Sequence, residues 1–448
     1  MTEQRDRLGE TMIIKEIHLR NFRLFEDFLL KLHPQFTLLI GENGSGKTSI
    51  LDALAVACGV WLYEVPDNKI ANSRVPLSED HIRLSTSEKG DRAQFAPAID
   101  CIVSARGEIY EGAGIKQWTQ EILFGAKSKV HLQEIRKIIA ERLNNVASGS
   151  NEILPVIAYY GAGRAWLPHN ERRKSTVPSF EPAQRWAAFY DCLNERIRIA
   201  DLRQWFWDET TERGNREGKY RPGFEVVRRA ILRCIPMADN AWFDTDRKDI
   251  VLSIGGRPQP FSNLSAGQRT MLAMVADIAI KCVIQNNYLV PREELGADDA
   301  PLPRVLAQTP GVVLIDEIDV HLHPRWQRRV IDDLRTTFPK IQFVATTHSP
   351  QVVGELAPES IRLLDQGGET PRQAFGMDSN WILDVLMNAD DQNQQIEKSN
   401  EEIFSLISES KIDIAKLKLQ ELRDRINGSS EVIEKAEALI ERMRLLGR

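Results

Sequence analysis

The stretch GENGSGKT at positions 41–48 follows the apolar run FTLLI and opens TSILDALAVACG. It satisfies the pattern G-x-x-x-x-G-K-[ST] in the setting that gives the pattern meaning, a buried strand before it and a helix after it. Glycines let backbone N–H groups approach phosphate oxygens, and the helix N-terminus adds a favourable field. Lys47 is expected to reach the β- and γ-phosphates of a nucleoside triphosphate, and Thr48 to ligate Mg²⁺. Asn43, Gly44, Gly46 and Ser49 complete the expected cradle. Such a loop sits at the end of a strand in a covered sheet, and two further runs, GVVLIDEID (311–319) and KIQFVATTHSP (340–350), have the composition of strands buried on both faces. PRWQRRVIDDLRTTF between them fits a crossover helix, so the pattern predicts a parallel sheet and an α/β core.

Asp316 and Glu317 end one of these strands. An Asp there suits Mg²⁺ ligation, and the following Glu317 suits the general base that polarises an attacking water. His348, at the end of FVATTHSP, is expected beside the same sheet edge, within reach of the γ-phosphate. LSAGQ at 264–268 precedes a nearly all-apolar helix, and Ser265, Gly267 and that helix N-terminus form an anion-seeking element. Its distance in sequence from Lys47 leaves open whether the two meet within one chain.

P-loop, LSAGQ, LIDEID and TTHS, in that order, resemble the ABC-type ATPase superfamily. NFRLF near the start, with Arg23, is similar to the branch that contains SMC, RecF and the ATPases of the overcoming-lysogenization-defect nucleases. The resemblance implies ATP and Mg²⁺ as ligands, with Arg23 in the nucleotide-binding set. It also implies a head-to-tail dimer in which Ser265, Gly267 and Gln268 of one subunit close on ATP held by Gly41–Thr48 of the other. Asp319 is then the dimer-contacting aspartate. YYGAGR (159–164) lies in the neighbourhood of the family's glutamine loop without an obvious Gln.

Between the P-loop and LSAGQ there is no heptad run, which excludes the long arms of SMC-type proteins. The single D-x-D, Asp244/Asp246, lies upstream of LSAGQ in a turn-like stretch rather than in a C-terminal nuclease domain, and His321 and His323 read as packing residues. No nuclease chemistry is therefore expected from this chain. YYGAGRAW, GMDSNWILDVLM and the short charged helices that follow are similar to the ATPase subunit of Septu antiphage defence systems, also found as a retron effector component. That resemblance implies oligomers of the ATPase and a separate HNH nuclease partner, docked on the added helices. The alternatives are a stand-alone RecF-like DNA repair ATPase and a nucleotide-locked scaffold that hydrolyses little, against which Glu317 argues.

The expected architecture is α/β, an ABC-type P-loop ATPase head with a helical insertion and a C-terminal helical appendage. Residues 1–160 form its N-terminal half, 161–247 an Arg- and Trp-rich insertion, 248–370 its C-terminal half and 371–448 the appendage. Arg164, Arg172, Arg173, Lys174, Arg185, Arg196, Arg198 and Arg203 gather among Trp166, Trp186, Tyr190, Trp205 and Trp207. Such mixing suits DNA or another nucleic acid, and suits equally a solvated lobe with a tryptophan core. The net charge of −6 gives no global footprint of nucleic-acid binding. Five scattered cysteines, a polar N-terminus and the lack of an apolar run near the ~20 residues needed to span a bilayer point to a cytoplasmic protein with no membrane partner.

Overall fold

The computed structural model describes residues 12–445, apart from 72, 90–91, 111–112, 164–184, 212–221, 290–299, 389–393, 410 and 427–430. The chain divides into two compact units, Met1–Asp378 and Ser379–Arg448.

In the first unit, β1 (Ile13–Phe22) turns at Arg23 and Leu24 into β2 (Phe25–Lys31), pairing antiparallel from Phe22↔Phe25 outward. β3 (Phe36–Ile40) is buried at every position and delivers the chain into the P-loop. The described part of the polar stretch 65–95 holds regular structure. It carries a short helix, Asn68–Ala71, and β4 (Leu84–Lys89), which pairs with β5 (Arg92–Pro97). β6 (Asp100–Glu108), β7 (Lys116–Leu123) and β8 (Lys129–His131) extend the first hairpin into an antiparallel sheet of order β2-β1-β6-β7-β8.

After the helix Gln133–Ala147, β9 (Val156–Tyr160) begins the far edge of the parallel sheet. β10 (Ala238–Asp244), β11 (Asp249–Ile254) and β12 (Arg257–Pro260) form a separate three-stranded meander. The D-x-D belongs to its first turn: Asp244 Oδ1 accepts the N–H groups of Asp246 and Arg247, each at 3.0 Å, an Asx turn that leads into β11. β13 (Gly311–Ile315), β14 (Ile341–Thr346) and β15 (Ile361–Leu363) complete the parallel sheet, order β15-β3-β14-β13-β9. The crossover between β13 and β14 is two short helices, Pro324–Gln327 and Val330–Thr337, not one. At the join the Arg329 N–H bonds to the Trp326 carbonyl, a tightened turn that breaks the regular ladder.

The P-loop helix (Lys47–Cys58) lies between the parallel and antiparallel sheets and is buried almost along its whole length. Apolar residues of both sheets share one core cluster with it, and Trp118 Nε1 and Gln120 Nε2 of β7 donate to the helix carbonyls of Ala57 and Val56, at 3.1 and 2.9 Å. Gln342 of β14 ties the layers: its amide bonds the Ile14 N–H and carbonyl of β1 at 2.9 Å each. A buried polar side chain paired this fully fixes register rather than weakening the core. Together these contacts leave the P-loop little freedom to shift against the strands beside it.

The second unit is a three-helix bundle, Gln394–Ser408, Ile412–Ile426 and Glu431–Leu445, around Ile403, Ile407, Ala415, Leu419, Leu422, Ile433, Ala436 and Ile440. A short helix, Ser379–Trp381, and a wide turn, Ile382–Leu386, precede it. Among the described residues no helix is long and apolar enough to cross a membrane.

Candidate nucleotide-binding site

The P-loop geometry follows from its glycines. Gly44 and Gly46 have φ of +89° and +95°, a region closed to side chains, and Gly46 caps the P-loop helix in this conformation. A Cβ on Gly46 would lie 2.6 Å from the Phe25 ring. The loop is therefore wedged beneath the β1–β2 turn, while the first N–H groups of the helix have no intrahelical acceptor. Ser45 Oγ is buried beside Gly41 without a hydrogen-bond partner and does not line the nucleotide cleft. Lys47 Nζ donates to the carbonyls of Gly41 and Glu42, both at 2.8 Å. Burial lowers the Lys47 pKa, opposed by the carboxylates of Asp365, Asp316 and Glu317.

A cleft of about 290 Å³ brings together Asn43, Gly44, Gly46, Lys47, Thr48 and Ser49 from the loop, Asp316 and Glu317 from the end of β13, and His348 from beyond β14. The Asp316 carboxylate is held between two hydroxyls. Thr48 Oγ1 donates to Oδ2 at 3.0 Å and Thr346 Oγ1 to Oδ1 at 2.6 Å. Thr346 Oγ1 also accepts the Glu317 N–H at 2.7 Å, and Glu317 stands at φ +47°. One strand-end threonine thus fixes both acidic residues. Thr48 Oγ1 and the Asp316 carboxylate are hard oxygen ligands on one wall of the cleft, a donor set that suits Mg²⁺.

Arg23 does not line this cleft. It ion-pairs with Asp52 on the P-loop helix at 2.6 Å and reaches Ser49 Oγ at 3.5 Å. Asp52 also accepts the Tyr159 hydroxyl at 3.0 Å. Asp319 accepts the Thr347 hydroxyl and, at 3.4 Å, the His348 N–H, so it braces the segment that presents His348. Ser265, Gly267 and Gln268 are likewise absent from the cleft lining. Ser265 caps the signature helix (Ala266–Asn286) in a reciprocal box: its Oγ accepts the Gln268 N–H at 3.2 Å, and Gln268 Oε1 accepts the Ser265 N–H at 2.9 Å. Gly267 is buried, and a Cβ there would lie 2.4 Å from the His321 carbonyl oxygen. That contact locks the helix to the loop after β13 through the His321 backbone, and His323 Nδ1 accepts the Arg325 N–H to cap the next helix; both histidine residues are exposed. Gly267→Ala is expected to destabilise the fold by about 1–3 kcal/mol, the usual cost of forcing atoms into a packed site. An unchanged melting temperature would show that the loop yields freely.

Three residues of the site are not singled out by the sequence, one inside the TTHS motif and two outside any motif. Thr346 is the residue just before Thr347–His348 on β14. Asp52 lies one helical turn past Thr48 and pairs with Arg23. Asp365 accepts the Glu42 N–H at 2.7 Å and so fixes the first turn of the P-loop. In the insertion, Arg185, Arg198 and Arg203 are used internally, whereas Arg196 is exposed. Arg185 donates to the carbonyls of Gln285 at 2.6 Å and Ser150 at 3.2 Å, and Arg203 pairs with Asp249 at 2.9 Å. Trp205 stacks on Phe224, and Trp207 packs edge-on against Phe243. For these residues the lobe-core reading holds; Arg164, Trp166, Arg172, Arg173 and Lys174 lie outside the described residues.

Fold and site define an ABC-type P-loop ATPase of the SMC and RecF kind. Two family models match, an AAA domain over residues 16–210 and an AAA domain of the AbiEii, type IV toxin–antitoxin, kind over 179–354. The chain is similar to a retron Ec83 probable ATPase of Escherichia coli, 25% identical across 84% of this chain and 76% of that one. It is similar also to a Septu protein PtuA of Bacillus mycoides, 25% identical across 82% of this chain and 42% of that one. Among solved structures, the SMC head domain of Thermotoga maritima aligns with a TM-score of 0.43 and 16% identity over 78% of this chain and 94% of that one.

Proposed function

We propose that the chain hydrolyses ATP at a composite site between two copies, and that this cycle governs a separate HNH-type nuclease in antiphage defence. One observation carries the composite site. The cleft gathers the P-loop, Asp316, Glu317 and His348 of one chain, whereas none of LSAGQ lines it and Ser265 stands exposed at the start of its helix. A second copy, head to tail, supplies Ser265, Gly267 and Gln268.

In this reading, Lys47 leaves its loop carbonyls to bind the β- and γ-phosphates. Glu317, held at its backbone by Thr346, accepts a proton from the attacking water. His348, braced by Asp319, contacts the γ-phosphate, and Asp319 reports the neighbouring subunit to it. Mg²⁺, held by Thr48 and Asp316, would offset charge on the transferred phosphoryl group. Arg23, paired with Asp52, belongs to the nucleotide side by way of the P-loop helix.

The defence role rests on similarity to retron ATPases and Septu PtuA over most of the chain. The bundle Ser379–Arg448 is the proposed nuclease dock, and it exposes Ile414 and Leu417 at 52% and 62%. Large apolar side chains standing open side by side on a helix are what a partner surface covers. Co-expression with a nuclease encoded beside it should yield a stable complex, and Leu417→Asp should lose that complex while keeping ATP hydrolysis. A gene neighbourhood without a nuclease, or tight DNA binding by the ATPase alone that falls on Arg172/Arg173 charge reversal, would move the reading to a stand-alone RecF-like repair ATPase.

A further inference from the structure

A second cavity, of about 240 Å³, shares none of its lining residues with the nucleotide cleft. It opens between the end of β9, the helix Ile199–Thr211 and one face of the signature helix. Its volume falls a little below the range of roughly 300–1,000 Å³ in which drug-sized ligands bind, so its occupant is small. The walls are aromatic. Tyr159 and Tyr160 form the floor, and Tyr190 and Trp205 stand half-buried at the sides. Trp205 already packs against Phe206 and Phe224, at 5.3 and 6.3 Å between ring centres, which fixes the ring without covering it.

Charge decides what enters. Asp191, Asp201, Asp208 and Asp277 line the cavity against Arg196, Arg198 and Lys281. Two of these three cations are engaged within the wall, Arg198 with Asp191 at 2.5 Å and Lys281 with Asp277. A phosphate needs a surplus of clustered cations, and this lining has none. The lining is a set of flat apolar faces rimmed by carboxylates, each already partnered but with further lone pairs to accept, and by the Arg196 guanidinium. Rings that stack and also present N–H or hydroxyl groups fit that rim. We infer that this cavity is a second ligand site, for a nucleobase or nucleoside without phosphates.

The site is wired to the nucleotide cleft. The Tyr160 carbonyl accepts the Asp316 N–H at 2.7 Å, and the Tyr160 hydroxyl donates to Asp277 of the signature helix at 2.7 Å. The Tyr159 hydroxyl bonds Asp52 of the P-loop helix. Desolvation, then Asp52 and Asp316, raise the Glu195 carboxyl above its ordinary value, and the Glu195 carbonyl accepts the Gly161 N–H at 2.9 Å. An occupant therefore bears on both halves of the ATP machinery. This coupling rests on the hydrolysis reading above; binding does not.

Calorimetric titration of the full chain, its P-loop saturated with a non-hydrolysable ATP analogue, tests binding directly. The ligands are adenosine, guanosine, cytidine, thymidine and a short single-stranded oligonucleotide. At least one nucleoside should saturate the protein. Trp205→Ala should weaken that binding at least about fivefold, the lower end of what one stacking aromatic gives a base. Asn194→Trp, at an exposed position of the lip, should block it without touching the core, and binding of the ATP analogue should persist in both variants. No nucleoside binding below about 1 mM, binding of the oligonucleotide alone, or nucleoside binding indifferent to both variants would overturn the inference.

Discussion

Glu317→Gln is expected to lower ATP turnover by about 10²–10⁴-fold, the contribution of a positioned general base, while ATP still binds. The glutamine keeps the length and shape of the side chain but cannot take a proton at the pH of the assay. Its backbone N–H still donates to Thr346 Oγ1, and the left-handed backbone at this position is the same for Gln as for Glu. Lys47, Thr48 and Asp316 are untouched, so the binding half of the site survives. A dimer that forms on ATP and opens on hydrolysis should then accumulate, visible as an ATP-dependent shift in size-exclusion chromatography. Turnover at the wild-type rate would remove Glu317 from the chemistry, and loss of ATP binding would mean that the substitution disturbs the fold.

How far the site could be read from sequence depends on how local its parts are. The P-loop, Asp316 with Glu317 and His348 each sit at the end of an apolar strand, and the strands themselves are short runs without a polar face. Pattern and chemistry coincide there, so both were legible. The hydroxyl clamp on Asp316 joins positions 48, 316 and 346, and Asp365 meets Glu42 from the opposite end of the unit. No local pattern marks such a pair, since only the parallel order of β15, β3, β14 and β13 brings the residues together. Gly267 shows the converse. Its place in LSAGQ suggested an anion contact alone, and only the fold reveals that it also lies against the His321 carbonyl.

The second large effect separates a shared site from a private one. Ser265→Arg is expected to abolish hydrolysis and leave ATP binding at Lys47 intact, because Ser265 is exposed and lines no part of its own cleft. The local cost is modest: losing the N-cap takes about 0.5–2 kcal/mol from a 21-residue helix that is buried along most of its length. Lys47→Ala is inactive for the other reason, a cradle that has lost its cation. In a mixed dimer the intact P-loop of the Ser265→Arg chain faces the intact signature of the Lys47→Ala chain, and both defects fall in the other site. Random pairing of equal amounts makes half of the dimers mixed, each with one sound site of two, so about a quarter of wild-type activity should return. A site completed within one chain predicts no recovery at any ratio, since every chain carries its own defect. The recovered fraction, measured against mixing ratio, thus decides whether LSAGQ serves the chain that bears it or its neighbour.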